Sequence, residues 1–521
     1  MTINGIFNQK IKGILVAASV LAIAGFLSRI LGFFRNALLA YFFGAGDILD
    51  AYFLAFRLPD FFFNLLLFGA FSAGFVPVFI KLKQQNSEKA WQLTNDVLNI
   101  ALVVFAVFGA VFFVFAPWIL KLIAPGFEGE KLALAVKLSR IMFLQPVFLG
   151  VSVVFSGILQ STQRFLSYAM APIFYNIGII FGILVLYPKL GPAGLAWGVV
   201  FGAFLHMIVQ YPAAKASGFK YKPIFSIRES AIKRIIHIIV PRSLSLMLNQ
   251  MNLVIMAGLA SFLGTGRVSV FNFANDINSL ILGVVAIPLG VAVFPVLSQF
   301  ASKERFEEFS GMIIKTLRQL LFLMIPATAL FFVLRAQIVR LTLGYGKFDW
   351  ADTILTIDTL GLFLAGLIFQ GVLAIILRAF FALEDAKTPF LVLFFGILVS
   401  LAVSLLFSPV MDVGALALAM SAGAVFNTIV LSFILERRLK NLDFSELFRP
   451  IAFLIMSSAV SAAAAYGTLH IVVRYLNTHK VLHLIVQGGA AGIVGIAVFI
   501  AVSMFFGIEE ARQLGSKLKF K

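Results

Sequence analysis

The chain has 521 residues, 61% of them hydrophobic and only 12% charged. A soluble globular domain is nearer half apolar and a quarter charged, so an ordinary soluble enzyme is excluded. The net charge of +18 would suit nucleic-acid binding, but the Lys and Arg residues sit in short loops between apolar runs, as in a polytopic membrane protein, and no nucleic-acid partner is expected. Cys is absent, which excludes disulfides, a thiol nucleophile and Cys-ligated metals.

Taken in chain order, the apolar runs predict fourteen spans: 12–43, 48–81, 92–124, 132–159, 165–187, 191–213, 231–263, 268–299, 312–335, 352–382, 388–408, 412–436, 449–473 and 483–507. The first run is too long for a signal h-region and has no small-residue cleavage site after it, so no cleavable leader is expected. Lipid leaves no partner for open backbone groups and the pattern does not alternate, so the spans are helices. About 25 Lys and Arg fall on the side of the N-terminus and about nine on the other, which puts both termini in the cytoplasm.

The chain repeats itself at an offset of about 217 to 220 residues. "FFGAGD" at 42–47 matches "FLGTGR" at 262–267, "AFSAGFVPVFIK" at 70–81 matches "PLGVAVFPVLSQ" at 288–299, and "PAGLAWG" at 192–198 matches "DVGALAL" at 412–418. Each unit has an even number of spans, so the copies share one orientation. The expected architecture is an all-α polytopic membrane protein of 14 transmembrane helices. It comprises two parallel six-helix bundles, residues 1–225 and 226–440, and a segment 441–521 with two extra helices and a basic tail.

The first two spans carry Arg29, Arg35, Asp50, Arg57 and Asp60. A bare charge at mid-bilayer costs a few kcal/mol or more, so such groups face water or one another. Gly25, Arg29, Gly32 and Asn36 share one helical face, with Arg35 about 120° away. Arg57 and Asp60 are three apart and can pair, and Pro59 between them predicts a kink or local unwinding. The reading is a cationic, watery cavity between the bundles where an anion binds. The alternative is arginines that snorkel to headgroups and a structural Arg57–Asp60 bridge. Asn249, Gln250 and Asn252 either line the cavity or bond neighbouring helices. Asp276 is a candidate for an ion or gating role, as is Asp60. His206 reads as an interhelical hydrogen-bonding group, and Arg378 with "LEDAKTP" (383–389) as the flank of a solvated turn. No nucleotide-binding loop, metal-spaced His pair or catalytic carboxylate cluster is present in the sequence, so no metal, cofactor or enzymatic activity is expected.

With "SRILGFFRNALLAYFFGAGDILDAYFLAFRLPDF", "GAFSAGFVPVF", "GILQSTQRFLSYAMAPIFYNI", "GLAWGVVFGAFLHMIVQYPAAKASGFKYKP" and "LRAFFALEDAKTP", the chain resembles the MurJ (MviN) family of lipid II flippases, within the multidrug/oligosaccharidyl-lipid/polysaccharide exporter superfamily. The resemblance implies two six-helix bundles plus two helices that form a groove for a lipid tail. It implies transport of undecaprenyl-pyrophosphate-linked disaccharide-pentapeptide from the inner to the outer leaflet of the bacterial inner membrane. Arg29, Arg35 and Asp50 are then implicated in binding the pyrophosphate headgroup, and a coupling ion or the membrane potential supplies energy. The family's Arg-Arg pair and Glu correspond to Phe63, Asn64 and Phe68 here, and its eighth-helix arginine to Asp276, so the cavity is less basic than usual. Other readings are an exporter of another lipid-linked oligosaccharide, a cation-coupled drug antiporter, and a non-transporting scaffold for cell-wall enzymes.

Overall fold

The computed structural model describes residues 14–66, 70–223, 247–248, 250–475 and 480–513. Among these there is no strand, and twelve helices are long and apolar enough to cross a membrane. They correspond to twelve of the fourteen expected spans. The expected span 48–81 contains two helices, Asp47–Leu66 and Ala70–Gln85, on either side of residues outside the description. The span 231–263 is described only near its end, where Gln250–Ala260 is helical.

The chain forms two compact units, Met1–Ser269 and Val270–Lys521. The expected bundle boundary at 225/226 lies outside the described residues. The first unit contains α1 (Ile14–Phe43), α2 (Asp47–Leu66), α3 (Ala70–Gln85), α4 (Ser87–Ile123), α5 (Gly129–Met142), α6 (Gln145–Ser161), α7 (Phe165–Phe181), α8 (Tyr187–Leu190), α9 (Pro192–Ile208), α10 (Tyr211–Ala216) and α11 (Gln250–Ala260). Next come α12 (Arg267–Ile281), which straddles the boundary, α13 (Ile287–Ser302), α14 (Phe306–Thr342), α15 (Trp350–Ala382), α16 (Lys387–Met411), α17 (Gly414–Arg438), α18 (Phe448–Val473) and α19 (Val481–Phe505). π-helical turns at Gly182–Leu186 and Leu282–Ala286 carry α7 into α8 and α12 into α13.

Small residues set the packing, because lipid supplies no hydrophobic drive between helices. A Cβ added at Gly178 or Gly182 on the α7 side would overlap the backbone of Gly202 or Gly198 on α9. In the second unit, Gly396 of α16 lies against the Asn427 side chain of α17, and Gly423 of α17 against the Ser400 hydroxyl. The last two helices pack on each other and on α14, where the Ser461 hydroxyl donates to the Gly495 carbonyl at 2.7 Å.

Helix α2 runs unbroken through Pro59, so the expected local unwinding does not occur. Proline removes the N–H that the Ala55 carbonyl would have accepted. The Ser139 hydroxyl of α5 donates to that carbonyl instead, at 3.3 Å. A neighbouring helix thus satisfies the group that lipid could not.

The turn before α16 is held by Asp385. Its carboxylate accepts from the Thr388 amide at 3.0 Å and the Thr388 hydroxyl at 2.8 Å, and pairs with Arg438 at 2.6 Å. Burial opposes the charge, but these donors outweigh it and hold the carboxyl below the usual carboxylate range. A depressed folded-state pKa contributes stability above the unfolded value of about 4, and loses it as pH falls through the folded one. Thermal unfolding in detergent should therefore show a lower midpoint as pH drops below about 4, and Asp385→Asn should remove part of that drop. Separately, Gly198→Leu should prevent folding of the first unit, seen as loss of the monodisperse peak in size-exclusion chromatography, because the overlap is with backbone.

Candidate functional site

Within the first unit, α1 divides into two faces. Ile23, Phe26, Ile30 and Phe34 are strongly exposed and form a lipid-type row. Gly25, Gly32 and Asn36 lie on the opposite side, and Arg29 projects about 120° from the apolar row. Arg29 is half-buried, and a Cβ at Gly25, one turn away, would meet no atom within 4 Å. The small, polar face is therefore open beside the arginine.

Arg35 is held by a network that reaches α7. Its Nε and Nη2 donate to Asn36 Oδ1 at 3.1 and 3.0 Å, and its Nη1 donates to Asn176 Oδ1 at 3.3 Å. Asn176 Nδ2 donates in turn to the Ser28 carbonyl at 3.2 Å and the Ser28 hydroxyl at 3.3 Å. The guanidinium is fixed by neutral amide acceptors. The sequence marked Arg35 and Asn36 but not Asn176, whose partners on α1 are more than 140 residues away.

On α2, Arg57 and Asp60 are both half-buried. Asp60 Oδ1 accepts from the Nε2 of Gln145, at the start of α6, at 3.3 Å. Gln145 is fully buried and was not singled out from the sequence. Gln250 is half-buried at the start of α11, while Asn249 lies outside the described residues. In the second unit, Asp276 is half-buried on α12, next to the buried Asn272 and Asn278.

Asp50 differs from its expected placement. It is fully buried, and both oxygens are engaged by protein donors. Oδ1 accepts from the Ser269 amide at 2.9 Å and the Ser269 hydroxyl at 2.7 Å; Oδ2 accepts from the Gly266 amide at 2.7 Å and pairs with Lys131 at 2.8 Å. A carboxylate so enclosed does not reach a ligand, and it would repel a diphosphate. Its charge instead complements the amide-rich start of α12. Lys131 also pairs with Asp47 at 2.6 Å and sits 4.5 Å over the Phe127 ring.

Asp50 anchors a clasp between the two repeat-related turns. Thr265 Oγ1 donates to Asp47 Oδ1 at 3.0 Å, and Gly126 N donates to Ser261 Oγ at 3.1 Å. A Cβ at Gly266 would overlap the Ala45 carbonyl, one at Gly258 the Ile123 carbonyl, and one at Gly126 the Ser261 carbonyl. Gly266 also has φ +84°, which disfavours any side chain. Burial works against the Asp47 charge, but Lys131 and Thr265 outweigh it and keep its carboxyl below the usual range. The spacing of "FFGAGD" and "FLGTGR" signalled a repeat, but nothing local showed that the two turns touch.

A family model described as "Lipid II flippase MurJ" matches residues 39–487. The chain belongs to the MurJ family. Two curated relatives are a probable lipid II flippase MurJ of Buchnera aphidicola subsp. Baizongia pistaciae, 30% identical over 81% of this chain and 83% of its own, and the lipid II flippase MurJ of Burkholderia cenocepacia, 30% identical over 81% and 84%. A solved structure of lipid II flippase MurJ in an inward closed conformation aligns with a TM-score of 0.77 and 25% identity, covering 93% of this chain and 98% of that one. An inward-facing multidrug transporter of the wider superfamily aligns with a TM-score of 0.67 at 15% identity, which shows the shared fold.

For this MurJ family member the clasp yields a direct test. The chain has no Cys, so Ser261→Cys, at a buried position in the clasp, supplies a single reporter thiol. Removing one partner of a buried pair costs about 3–5 kcal/mol, so Asp50→Ala should loosen the clasp. The thiol should then react with a membrane-impermeant maleimide about tenfold faster or more. Equal rates with and without Asp50 would mean that the carboxylate does not hold it.

Proposed function

We propose that this protein is a flippase that moves lipid II, the polyprenyl-diphosphate-linked peptidoglycan precursor, from the inner to the outer leaflet of the bacterial inner membrane. The MurJ family match and its lipid II flippase relatives support that activity and that cargo. The charge bias of the loops supports cytoplasmic termini, which makes the 44–50 turn the outer end of the first unit. The clasp is then an outer gate in its closed state, and transport requires it to part and reseal.

The observation that carries the reading is Arg29, a guanidinium in mid-helix on a face of Gly and Asn, turned away from the lipid-type row. Arg29 and Arg35 bind the diphosphate, with Arg57 adding to the same positive field. Guanidinium-to-phosphate bonds are charge-assisted and bidentate, and they tolerate a variable sugar-peptide portion beyond the diphosphate. Gln250 and Asn249 supply neutral hydrogen bonds to the headgroup. Phe63 and Asn64 stand where the family pattern has an Arg-Arg pair, so fewer arginines here carry more of the binding. The driving energy is the membrane potential or an ion gradient.

The test is growth rescue of a strain depleted of its own lipid II flippase. Loss of one charge-assisted contact is worth about 1.5–3 kcal/mol, a roughly 10- to 100-fold loss of affinity. Arg29→Ala should fail to rescue at normal membrane levels, and Arg29→Lys should rescue partly. Full rescue by Arg29→Ala would remove the residue from the binding site.

A further inference from the structure

We infer that Asp60 is a proton-linked control on anion affinity in the first unit: deprotonated it weakens binding of a diphosphate by the arginines, and protonated it lets the anion bind. This rests on the diphosphate-binding role proposed above for Arg29 and Arg35. Asp60 lies on α2 one turn from Arg57, and it is half-buried, so water reaches it. Tyr175 of α7 lies within electrostatic reach of both Asp60 and Arg35. Two unit charges in such a partly buried region interact strongly enough to change an affinity about tenfold or more.

The surroundings suit both protonation states. Gln145 Nε2 donates to the Asp60 carboxylate at 3.3 Å, as an ionised acid requires. The Gln145 amide oxygen, Oε1, and the Tyr175 hydroxyl are buried with no hydrogen-bond partner. Gln145 Oε1, on the residue that already contacts Asp60, can accept from the O–H of a protonated carboxyl. Rotation of the Gln145 amide by a half-turn would swap donor for acceptor at Asp60. A purely structural contact would leave no fully buried Gln145 oxygen unpaired.

The charged and titratable groups on every element packed against α2 fit this assignment. On α2 itself stand Tyr52 and Arg57; α1 brings Arg29 and Arg35. On α5, Lys131 is committed to Asp47 and Asp50, Arg140 donates to the Phe113 carbonyl at 2.9 Å, and Lys137 is exposed, as is Glu130. Helix α6 has no ionisable residue. On α9, His206 is engaged by the Ser152 hydroxyl at 2.7 Å. Arg29, Arg35 and Arg57 are the arginines that α1 and α2 contribute beside Asp60. By linkage, the factor by which protonation of Asp60 strengthens anion binding is the factor by which the anion strengthens protonation. No bond other than the carboxyl O–H forms or breaks, and the proton comes from water.

The experiment is calorimetric titration of the full-length protein in detergent with inorganic pyrophosphate across pH 5 to 9 for wild type, Asp60→Asn and Asp60→Glu. Asn keeps an acceptor for Gln145 and cannot ionise. The probe's own protonation is common to all three proteins, so the ratio of wild-type to Asn dissociation constants is the readout. That ratio should be about ten or more at high pH and fall to one at low pH, with Glu behaving like wild type. Wild type should also take up protons on binding, seen as heats that vary with buffer ionisation enthalpy beyond those of Asp60→Asn. A ratio that stays constant with pH, or pyrophosphate binding that none of the three proteins shows, overturns the inference. Flippase activity measured on lipid II itself reports separately on the reading beneath it.

Discussion

A polar group inside the hydrocarbon layer has no water to turn to, and this constraint organises the molecule. It forces the backbone into helices, and at several points where a helix leaves a group unpaired, a neighbour supplies the partner. The Ala55 carbonyl, stripped of its donor by Pro59, is met by Ser139. The Arg35 guanidinium is met by Asn36 and Asn176, and the Asp50 carboxylate by two amides, a hydroxyl and an ammonium. Each such match ties together segments far apart in the chain.

These matches serve two ends. At Asp50 the pairing is complete, so the group acts as an internal brace. At Arg35 the partners are neutral, so the charge is positioned without being cancelled. In the function proposed here, arginines fixed in this way attract a diphosphate and still release it, which a transporter needs more than tight binding. The glycines at 126, 258 and 266 extend the same logic to shape: backbone meets backbone with no side chain between.

What could be read from the sequence was set by locality. The apolar runs fix most spans to within a few residues, because helix length and bilayer thickness are both fixed quantities. The Gly25, Arg29, Gly32 and Asn36 stripe was legible because helical periodicity puts it on one face. The partners Asn176, Gln145, Ser139 and Lys131 were not, since each sits on another helix and no spacing announces a contact made across a fold. Asp50 was read as a ligand-binding group from the family resemblance, in which the acidic residue after the Gly-rich turn is implicated in binding the headgroup. Its burial depends on the 266–269 turn closing over it. The π-helical turns at 182–186 and 282–286 also escaped notice, because one extra residue per turn leaves the apolar pattern intact.

The central claim, that positioned arginines carry a diphosphate-linked lipid across the membrane, is tested most directly by leaflet-resolved accessibility of lipid II in vesicles containing the purified protein. Lipid II placed in one leaflet should become available to a membrane-impermeant enzyme on the opposite side within minutes, at a rate proportional to protein content. Accessibility confined to the leaflet of origin, equal to that of protein-free vesicles under an imposed membrane potential and ion gradients of either sign, would contradict it.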